Sequence, residues 1–380
     1  MKIMICAGEV SGDVHGSFLV QELKRLIPTA TFFGVGSERL AAAGVELHFD
    51  LTSRGTIGLF EALPNLFPLF SLFQKIKKLA LSEKPDLVIL IDSQGINFPL
   101  AKFCKKAGLK TVYYVAPQEW LWGTAKNVRL VAEQVGLIVA IFPKEFAAYK
   151  EAGANVVYFG HPLLDIVKPT MTGAEFRRNV FGPLPEHTPV ISLCPGSRLQ
   201  EIKTLFPVLL RASTLVKRSF PGAKFVVPAA SRQLESLITA ELASFGIPIV
   251  VGRTYDAINA SDLALCASGT INFEASLLGI PNIMVYKLSR LTYFIGKYLL
   301  KLDKKLKYFS MPNILLDRKI IPELIMSDAT PARIAAEAVA LLKSPARQAE
   351  MKRAFEKLRQ QLGAPGVIRR AAEAILRFAS

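Results

Sequence analysis

Short apolar runs alternate with amphipathic stretches along most of the chain. In the first half the runs lie at residues 2–7, 31–34, 87–91, 110–115, 136–142 and 155–159. Each run has the length of a buried strand, and apolar residues at helical spacing follow most of them. This alternation predicts strand–helix units, which assemble into a parallel sheet with helices on its faces.

The alternation resumes after a polar, Pro-rich segment at residues 166–188, which we interpret as a linker. The second set of apolar runs lies at residues 190–194, 224–228, 247–251, 263–267 and 281–286. The pattern predicts an α/β protein with two Rossmann-like parallel-sheet domains facing a cleft, at residues 1–165 and 189–345. The pattern leaves open whether the helices of residues 346–380 pack back on the first domain.

Charge narrows the class of partner. The chain has 47 basic and 31 acidic residues, a net charge of +16, which indicates an anionic partner. Nucleic acid is disfavoured because the chain has no zinc-finger motif, RNP motif or long basic arm. The first residues, MKIMICAGEVSGD, turn acidic and Gly-rich too soon for a signal peptide. The 4 cysteines are far apart and indicate buried free thiols, not a metal site.

A Phe-rich segment at residues 57–81 has more apolar positions than one helical face can hold. Pro64 and Pro68 interrupt it, and no apolar run in the chain reaches the ~18 residues of a membrane span. Its flanking lysines, Lys75, Lys77 and Lys78, suit docking onto an anionic membrane interface, although a core helix with a loop explains the pattern equally well. The residues of the predicted membrane or acyl surface are Leu66, Phe67, Leu69, Phe70 and Phe73.

Acidic residues follow two predicted strands of the first half. Residues 8–13 form a predicted loop before a helix from about His15, and Glu9 and Asp13 are candidate ligands for sugar hydroxyls. Asp13 is alternatively the cap of that helix. Asp92 ends the strand at 87–91, where a carboxylate faces the crevice of an open α/β sheet and can act as a general base. A cap for the helix after Gly95 is the alternative role of Asp92.

Three further residues near strand ends, Trp120, Trp122 and His161, each have a functional and a structural interpretation. Trp120 and Trp122 share one loop, where aromatic rings wall a sugar or acyl site or simply anchor the core. His161 follows the strand at 155–159 and either reaches the cleft or serves the structure.

Two small-residue turns follow strands of the second half. Pro195-Gly196-Ser197 precedes a helix predicted from Gln200, and Ser268-Gly269-Thr270 precedes another. Turns of this kind aim backbone N–H groups of a helix N-terminus at an anion, and Arg198 adds a planar donor fork. Two such turns on one sheet fit one diphosphate, and Glu274 either holds ribose hydroxyls or complements the helix dipole. The basic, apolar stretch at 290–307 suits an interfacial surface, a phosphate-attracting rim or a solvated helix face.

A series of motifs in this order resembles the lipid-A-disaccharide synthase family, the inverting glycosyltransferases of Gram-negative outer-membrane biosynthesis. The motifs are AGEVSGDVHG (7–16), PDLVILIDSQGIN (85–97), YYVAPQEWLW (113–122), FGHPLLD (159–165), CPGSRLQEI (194–202), ASGTINFEASL (267–277), MVYK (284–287) and SMPNIL (310–315). They extend over nearly the whole chain.

The resemblance implies a GT-B fold that needs no metal or other cofactor. It also implies a UDP-2,3-diacylglucosamine donor and a 2,3-diacylglucosamine 1-phosphate acceptor, joined to a β-1,6-linked disaccharide phosphate with release of UDP. The chain departs from the family at Gly95, where an acidic residue is common, and at Ala116, Gln118 and Glu119, where a serine-rich loop is common. These departures lie on the expected acceptor side.

The motif positions give a set of predicted site residues. Asp92, Glu9 and Asn313 are the predicted catalytic residues, with Asn313 entering the crevice from a short polar turn. The predicted substrate contacts are Ser11, Gly12, Asp13, Gly196, Ser197, Arg198, Ser268, Gly269, Thr270, Glu274 and Lys287.

The resemblance implies a peripheral protein on the cytoplasmic face of the inner membrane, with an anionic membrane surface as partner and a homodimer left open. Two other functions stay open from the residues alone. One is another GT-B enzyme that uses a UDP-sugar, either a UDP-N-acetylglucosamine transferase or a 2-epimerase. The other is a hinged two-domain binding protein without catalytic activity.

Overall fold

The computed structural model describes residues 1–50, 66–197, 199–229, 232–242, 244–287 and 307–380. These residues form two compact units, Met1–Ile166 together with Leu362–Ser380, and Val167–Gln361. The chain therefore leaves the first unit close to the predicted bound at residue 165 and returns to it for its last residues.

The first unit contains a parallel sheet in the order β3-β2-β1-β4-β5-β6-β7. Its strands are β1 (Lys2–Ala7), β2 (Thr31–Gly36), β3 (Glu46–Asp50), β4 (Leu87–Ile91), β5 (Thr111–Tyr114), β6 (Leu137–Ala140) and β7 (Val156–Tyr158). Its helices are α1 (Val10–Leu26), α2 (Glu38–Ala42), α3 (Leu66–Glu83), α4 (Gln94–Lys106), α5 (Glu119–Trp122), α6 (Ala125–Gln134), α7 (Pro143–Glu151) and α8 (Leu163–Ile166). Every residue of β4 is buried, as expected where helices cover both faces of a parallel sheet.

The second unit contains a parallel sheet in the order β10-β9-β8-β11-β12-β13. Its strands are β8 (Val190–Cys194), β9 (Lys224–Ala229), β10 (Ile249–Val251), β11 (Leu263–Ala267), β12 (Asn282–Tyr286) and β13 (Glu323–Ile325). Its helices are α9 (Gly173–Phe181), α10 (Leu199–Ser219), α11 (Arg232–Leu242), α12 (Thr254–Asn259), α13 (Thr270–Leu277), α14 (Met311–Leu316), α15 (Pro331–Leu342) and α16 (Pro345–Gln361). The two parallel sheets confirm the predicted fold class.

The predicted linker at residues 166–188 is wrong, because most of it belongs to the second unit. α9 begins with a reciprocal cap between Thr172 and Glu175. Its Phe176 is fully buried against Val226, Ala257 and Ala260. A segment that buries an aromatic side chain in this way is part of the fold.

The last helix, α17 (Val367–Ala379), belongs to the first unit and packs on α1. The Asp165 carboxylate accepts hydrogen bonds from the backbone N–H groups of Gly366 at 2.6 Å and Ile368 at 2.9 Å. These bonds satisfy donors that a helix N-terminus leaves free. The predicted C-terminal segment 346–380 is therefore divided, with α16 in the second unit and α17 in the first.

Three helices of the first unit differ from, or add to, the predicted elements. α1 begins at Val10, within the predicted loop at residues 8–13, and α4 begins at Gln94, one residue before Gly95. α3 begins at Leu66 within the Phe-rich segment. In the part of the chain that the structure describes, no helix combines the length and apolar character that crossing a membrane requires.

Candidate active site

Asp92 lies where the strand order of the first sheet reverses. β1 pairs with β2 on one side and with β4 on the other, and Ala7 is in register with Ile91. The loops after these two strands therefore leave the sheet in opposite directions, and the crevice between them is the usual ligand site of an open α/β sheet. Glu9 and Ser11 follow β1, and Asp92 follows β4, so the structure brings these three predicted residues to one edge.

The backbone around Asp92 is strained. Asp92, Ser93 and Val115 have φ values of 53°, 49° and 58°, in the left-handed region that residues with a Cβ rarely adopt. Val115 is β-branched, which makes its conformation the most unusual of the three. Such strain persists only where the surrounding structure enforces it, and it concentrates at functional sites.

Hydrogen bonds hold the Asp92 carboxylate on both oxygens. Its Oδ2 accepts from the Ser11 hydroxyl at 2.6 Å, and its Oδ1 accepts from the Ser93 backbone N–H at 2.8 Å. The residue is half-buried, so these bonds leave part of the carboxylate open to a substrate. An oriented, accessible carboxylate is the chemistry that a general base requires.

Gly12 serves the packing of α1 against the strand ends. A Cβ on Gly12 would lie 3.2 Å from the Ile91 carbonyl oxygen and 3.4 Å from the Asp92 Cβ. The absence of a side chain therefore lets the first turn of α1 approach Asp92. Glu9 precedes that turn at the N-cap position and is half-buried. The substrate contact of Gly12 stays a prediction beside this packing role.

The prediction that Asp13 binds sugar hydroxyls is wrong. Its buried carboxylate accepts from the backbone N–H groups of Ser37 at 2.7 Å and Arg39 at 3.1 Å. Asp13 therefore caps α2, whereas the alternative prediction made it the cap of its own helix, α1. Burial raises the pKa of Asp13, and the hydrogen bonds from these N–H groups act in the opposite direction.

The His15 ring on α1 belongs to a group of packed aromatic and histidine rings. Among its members, His161 and Trp120 were predicted as candidate site residues and His15 was not. The His15 ring packs edge-on against Tyr114, with centroids 6.5 Å apart, and lies 6.2 Å from His161. Burial lowers the pKa of His15 to about 4, and it lowers the pKa of His161 well below the usual value. Both histidines are therefore neutral near pH 7, and His161 accepts a hydrogen bond from the Leu163 N–H at 3.2 Å.

The loop that departs from the family pattern is tied to the start of α4. The Gln94 side-chain amide donates to Glu119 Oε1, and Asn127 donates to Glu119 Oε2 at 3.1 Å. Glu119 is buried, whereas a Cβ on Gly95 would meet nothing within 4 Å. The Glu119 carboxylate is thus held by two side chains, whereas the space around Gly95, three residues after Asp92, is open.

In the second unit the two small-residue turns follow β8 and β11, which are neighbours where the strand order reverses. Gly196 and Gly269 have φ values of 101° and 121°, which only glycine adopts readily. The half-buried Ser197 precedes α10, and the exposed Thr270 begins α13. The N-termini of both helices therefore point to one edge of the sheet, where their N–H groups favour an anion.

Other predicted contacts of this unit lie at the same edge. The Ser268 backbone N–H donates to the Val285 carbonyl at 3.1 Å, so that group serves the sheet. The Tyr255 hydroxyl donates to Glu274 Oε1 at 3.1 Å and orients its carboxylate. Lys287 follows the carboxyl end of β12 and is half-buried.

The prediction that Asn313 enters the crevice does not fit the structure. Its side chain is fully buried, and its amide donates to the Ile321 carbonyl at 2.9 Å and to Glu323 Oε1 at 2.8 Å. Its carbonyl accepts from the Ile320 and Ile321 N–H groups at 2.7 and 2.9 Å. Asn313 therefore fastens α14 to the chain before β13, which is a structural role.

The predicted membrane surface is described in part. Phe70 on α3 is 63% exposed, while Phe73 packs partly against the core and Lys77 Nζ lies 5.8 Å from its ring centroid. The Phe73 position thus matches the core alternative better than an open surface.

Several predictions fall outside the described residues. They are Arg198, the stretches at 57–65 and 290–306, and the side chains of Leu66, Phe67, Leu69 and Trp122.

Solved structures that resemble this one over nearly its whole length include a UDP-GlcNAc 2-epimerase and a MurG. UDP-GlcNAc 2-epimerase from Neisseria meningitidis, solved bound to UDP-GlcNAc, matches with a TM-score of 0.66 at 14% identity, covering 99% of this chain and 100% of that one. MurG from Acinetobacter baumannii matches with a TM-score of 0.56 at 13% identity, covering 99% of both chains. At these identities the likeness establishes the class of fold, GT-B.

Sequence comparison identifies the family within that class. The family described as Lipid-A-disaccharide synthetase matches residues 3–378. Lipid-A-disaccharide synthase of Geobacter metallireducens is 38% identical over 377 residues, covering 99% of this chain and 96% of that protein. The enzyme of the same name from Myxococcus xanthus is 37% identical over 377 residues, with 99% and 97% coverage. The chain belongs to the lipid-A-disaccharide synthetase family.

Proposed function

We propose that the protein joins UDP-2,3-diacylglucosamine to 2,3-diacylglucosamine 1-phosphate and releases UDP. Membership of the lipid-A-disaccharide synthetase family supports this reaction. The observation that carries the mechanism is the half-buried Asp92 carboxylate at the strained end of β4. Its place at the reversal of strand order fits a group that acts on a bound substrate.

The proposed chemistry is a single displacement at the anomeric carbon of the donor. The 6-hydroxyl oxygen of the acceptor forms the new bond to that carbon, while the bond from the carbon to the diphosphate oxygen breaks. The electron pair of the broken bond leaves with UDP, and the proton of the hydroxyl passes to Asp92. A displacement of this kind requires a base for the nucleophile and stabilisation of the leaving group.

In this proposal the second unit stabilises the departing diphosphate. The turns at Gly196 and Gly269 bring the N-termini of α10 and α13 to one sheet edge, and free N–H groups with an aligned dipole favour negative charge. Ser197, Thr270 and Lys287 add polar groups there, and Glu274 is the proposed partner of the ribose hydroxyls. Arg198 is the further proposed partner of the diphosphate.

We also propose that α3 contacts an anionic membrane surface at the cytoplasmic face of the inner membrane. Phe70 and Leu81 are exposed large apolar residues of α3, and Lys77 lies between them along the helix. Phe70, Lys77 and Leu81 share one face, because seven and eleven residues are close to whole numbers of helical turns. Exposed apolar residues combined with lysines favour an interface where diacylated, phosphorylated substrates reside.

One incubation tests the proposed reaction. The purified protein is given UDP-2,3-diacylglucosamine with and without the monosaccharide 1-phosphate, and products are read by mass spectrometry. We expect acylated disaccharide phosphate and UDP in equal amounts, and only when both substrates are present. Isomerisation of a UDP-sugar in the absence of acceptor would instead assign the protein to the 2-epimerases, and binding without release of UDP would indicate a binding protein.

A further inference from the structure

The hydroxyl of Ser11 donates a hydrogen bond to Asp92, the proposed base. The bond from Ser11 Oγ to Asp92 Oδ2 is 2.6 Å long and joins residues 81 positions apart in the chain. A serine hydroxyl has one proton, so this bond uses the only one that Ser11 has to donate. A substrate hydroxyl therefore finds only acceptor capacity on Ser11.

The approach of Ser11 to Asp92 is built into the packing of α1. Gly12 lets the first turn lie against the end of β4, because a Cβ at this position would be crowded at 3.2 Å from the Ile91 carbonyl oxygen. One turn further, a Cβ on Gly16 would lie 2.9 Å from Ile91 Cδ1. Two glycines at i and i+4 face the same strand end, so α1 packs closely there over a full turn.

The backbone of Asp92 is fixed from the opposite side. Its carbonyl accepts from the Tyr113 hydroxyl at 2.9 Å and from the Asn97 side-chain amide at 2.8 Å. The amide of Asn97, which is fully buried, also lies within 3.1 Å of the Cys6 carbonyl oxygen and 3.0 Å of the Ile91 carbonyl oxygen. With the main chain held in this way, the Ser11 and Ser93 bonds determine how the carboxylate is rotated.

We propose that Ser11 is a positioning residue, whose hydroxyl fixes the rotation of the Asp92 carboxylate so that one oxygen is presented to the acceptor hydroxyl. This inference rests on the proposed function, and it replaces the predicted substrate contact of Ser11. A charge-assisted O–H···O⁻ bond of this length is strong enough to hold one carboxylate orientation. Correct orientation of a catalytic group matters because misplacement by about 1 Å costs on the order of 100-fold in rate.

The first test compares Ser11→Ala with Ser11→Thr, which keeps the hydroxyl. We expect Ser11→Ala to lower kcat about 10- to 100-fold with little change in the KM of either substrate, and Ser11→Thr to recover most of the rate. Ser17→Ala is the control, because Ser17 lies on the same helix but donates to the Val14 carbonyl at 2.8 Å. A Ser11→Ala enzyme with wild-type kcat, or one changed only in KM, overturns the positioning role.

The second test removes the charge that Ser11 is proposed to orient. In an Asp92→Asn background, Ser11→Ala should leave the Kd of the acceptor within about twofold, because Ser11 is proposed to make no substrate contact. Weaker acceptor binding in the double variant would return Ser11 to the substrate contacts and overturn the proposal. A wild-type protein that forms no disaccharide overturns the proposed function as well, whereas an active wild type confines any failure to Ser11.

Discussion

At the scale of single residues, the site is held in a conformation that the chain would not adopt alone. Left-handed backbone at a residue with a Cβ costs on the order of 1–3 kcal/mol, and Asp92 and Ser93 adopt it consecutively. The offsetting contacts are the buried Asn97 amide and the Tyr113 hydroxyl, both bonded to the Asp92 carbonyl. The strain and its support together place one carboxylate at the strand end.

The buried His15 predicts a specific response to acid. Its pKa is lowered to about 4 by burial, although the nearby Asp92 charge opposes the shift. Between this value and the ordinary value of 6.5 the unfolded chain binds the extra proton, so stability is lost as pH falls through that interval. In urea unfolding at pH 7 and pH 5, His15→Leu should lose about 2 kcal/mol less than wild type on acidification. Equal losses in both proteins would show that His15 is not held neutral.

At the scale of elements, the turns after β8 and β11 depend on glycine. Gly196 has a φ of 101°, and a Cβ there would lie 2.3 Å from Glu201 Oε2. Because the positive φ strains any residue with a Cβ, Gly196→Ala should distort the turn before α10 and raise the KM of the UDP-sugar about tenfold or more, with little effect on acceptor KM. Gly222→Ala is the matched control, since a Cβ on Gly222 would meet nothing within 4 Å. Unchanged donor kinetics in Gly196→Ala would remove this turn from the donor site.

The lysines of α3 give a prediction for membrane binding. Lys77 lies on the proposed face of α3 and the exposed Lys78 is its neighbour, and replacing both with glutamine should weaken flotation with vesicles rich in anionic lipid. Each lysine near such a surface contributes about 1 kcal/mol, so the partition constant should fall roughly tenfold or more. The matched control is Lys217→Gln with Arg218→Gln, an exposed basic pair at the end of α10. Equal binding of the two variants would argue against α3 as the contact.

The elements also show what the sequence can predict. The strands were predictable because buried parallel strands are continuous apolar runs, as in Leu87–Ile91. The start of α1 was not, because Ser11 and Gly12 resemble loop residues and only their packing against β4 makes them helical. The roles of Asp13 and Asn313 were misjudged because both side chains accept from backbone N–H groups, of Ser37 and Ile321, and a backbone partner leaves no mark in the sequence.

At the scale of the whole molecule, the proposed base and the proposed donor contacts belong to different units. The proposed base and its positioning residue lie in Met1–Ile166, and the proposed donor contacts lie in Val167–Gln361. The sequence predicted two strand–helix halves from the repeated alternation, and the reversal of strand order within each sheet became visible only in the structure. It did not reveal that α17 completes the first unit, since a terminal amphipathic helix carries no signal of the surface it covers.

Division of work between the units makes Asp92→Asn the most direct test. We expect this variant to bind the UDP-sugar with wild-type affinity in calorimetry, and to form disaccharide and UDP about 10²- to 10⁴-fold more slowly. Asp86→Asn is the control, because Asp86 is an exposed aspartate just before β4 whose carboxylate accepts from the Lys2 N–H at 2.6 Å. Disaccharide formation by Asp92→Asn at close to the wild-type rate would contradict the account.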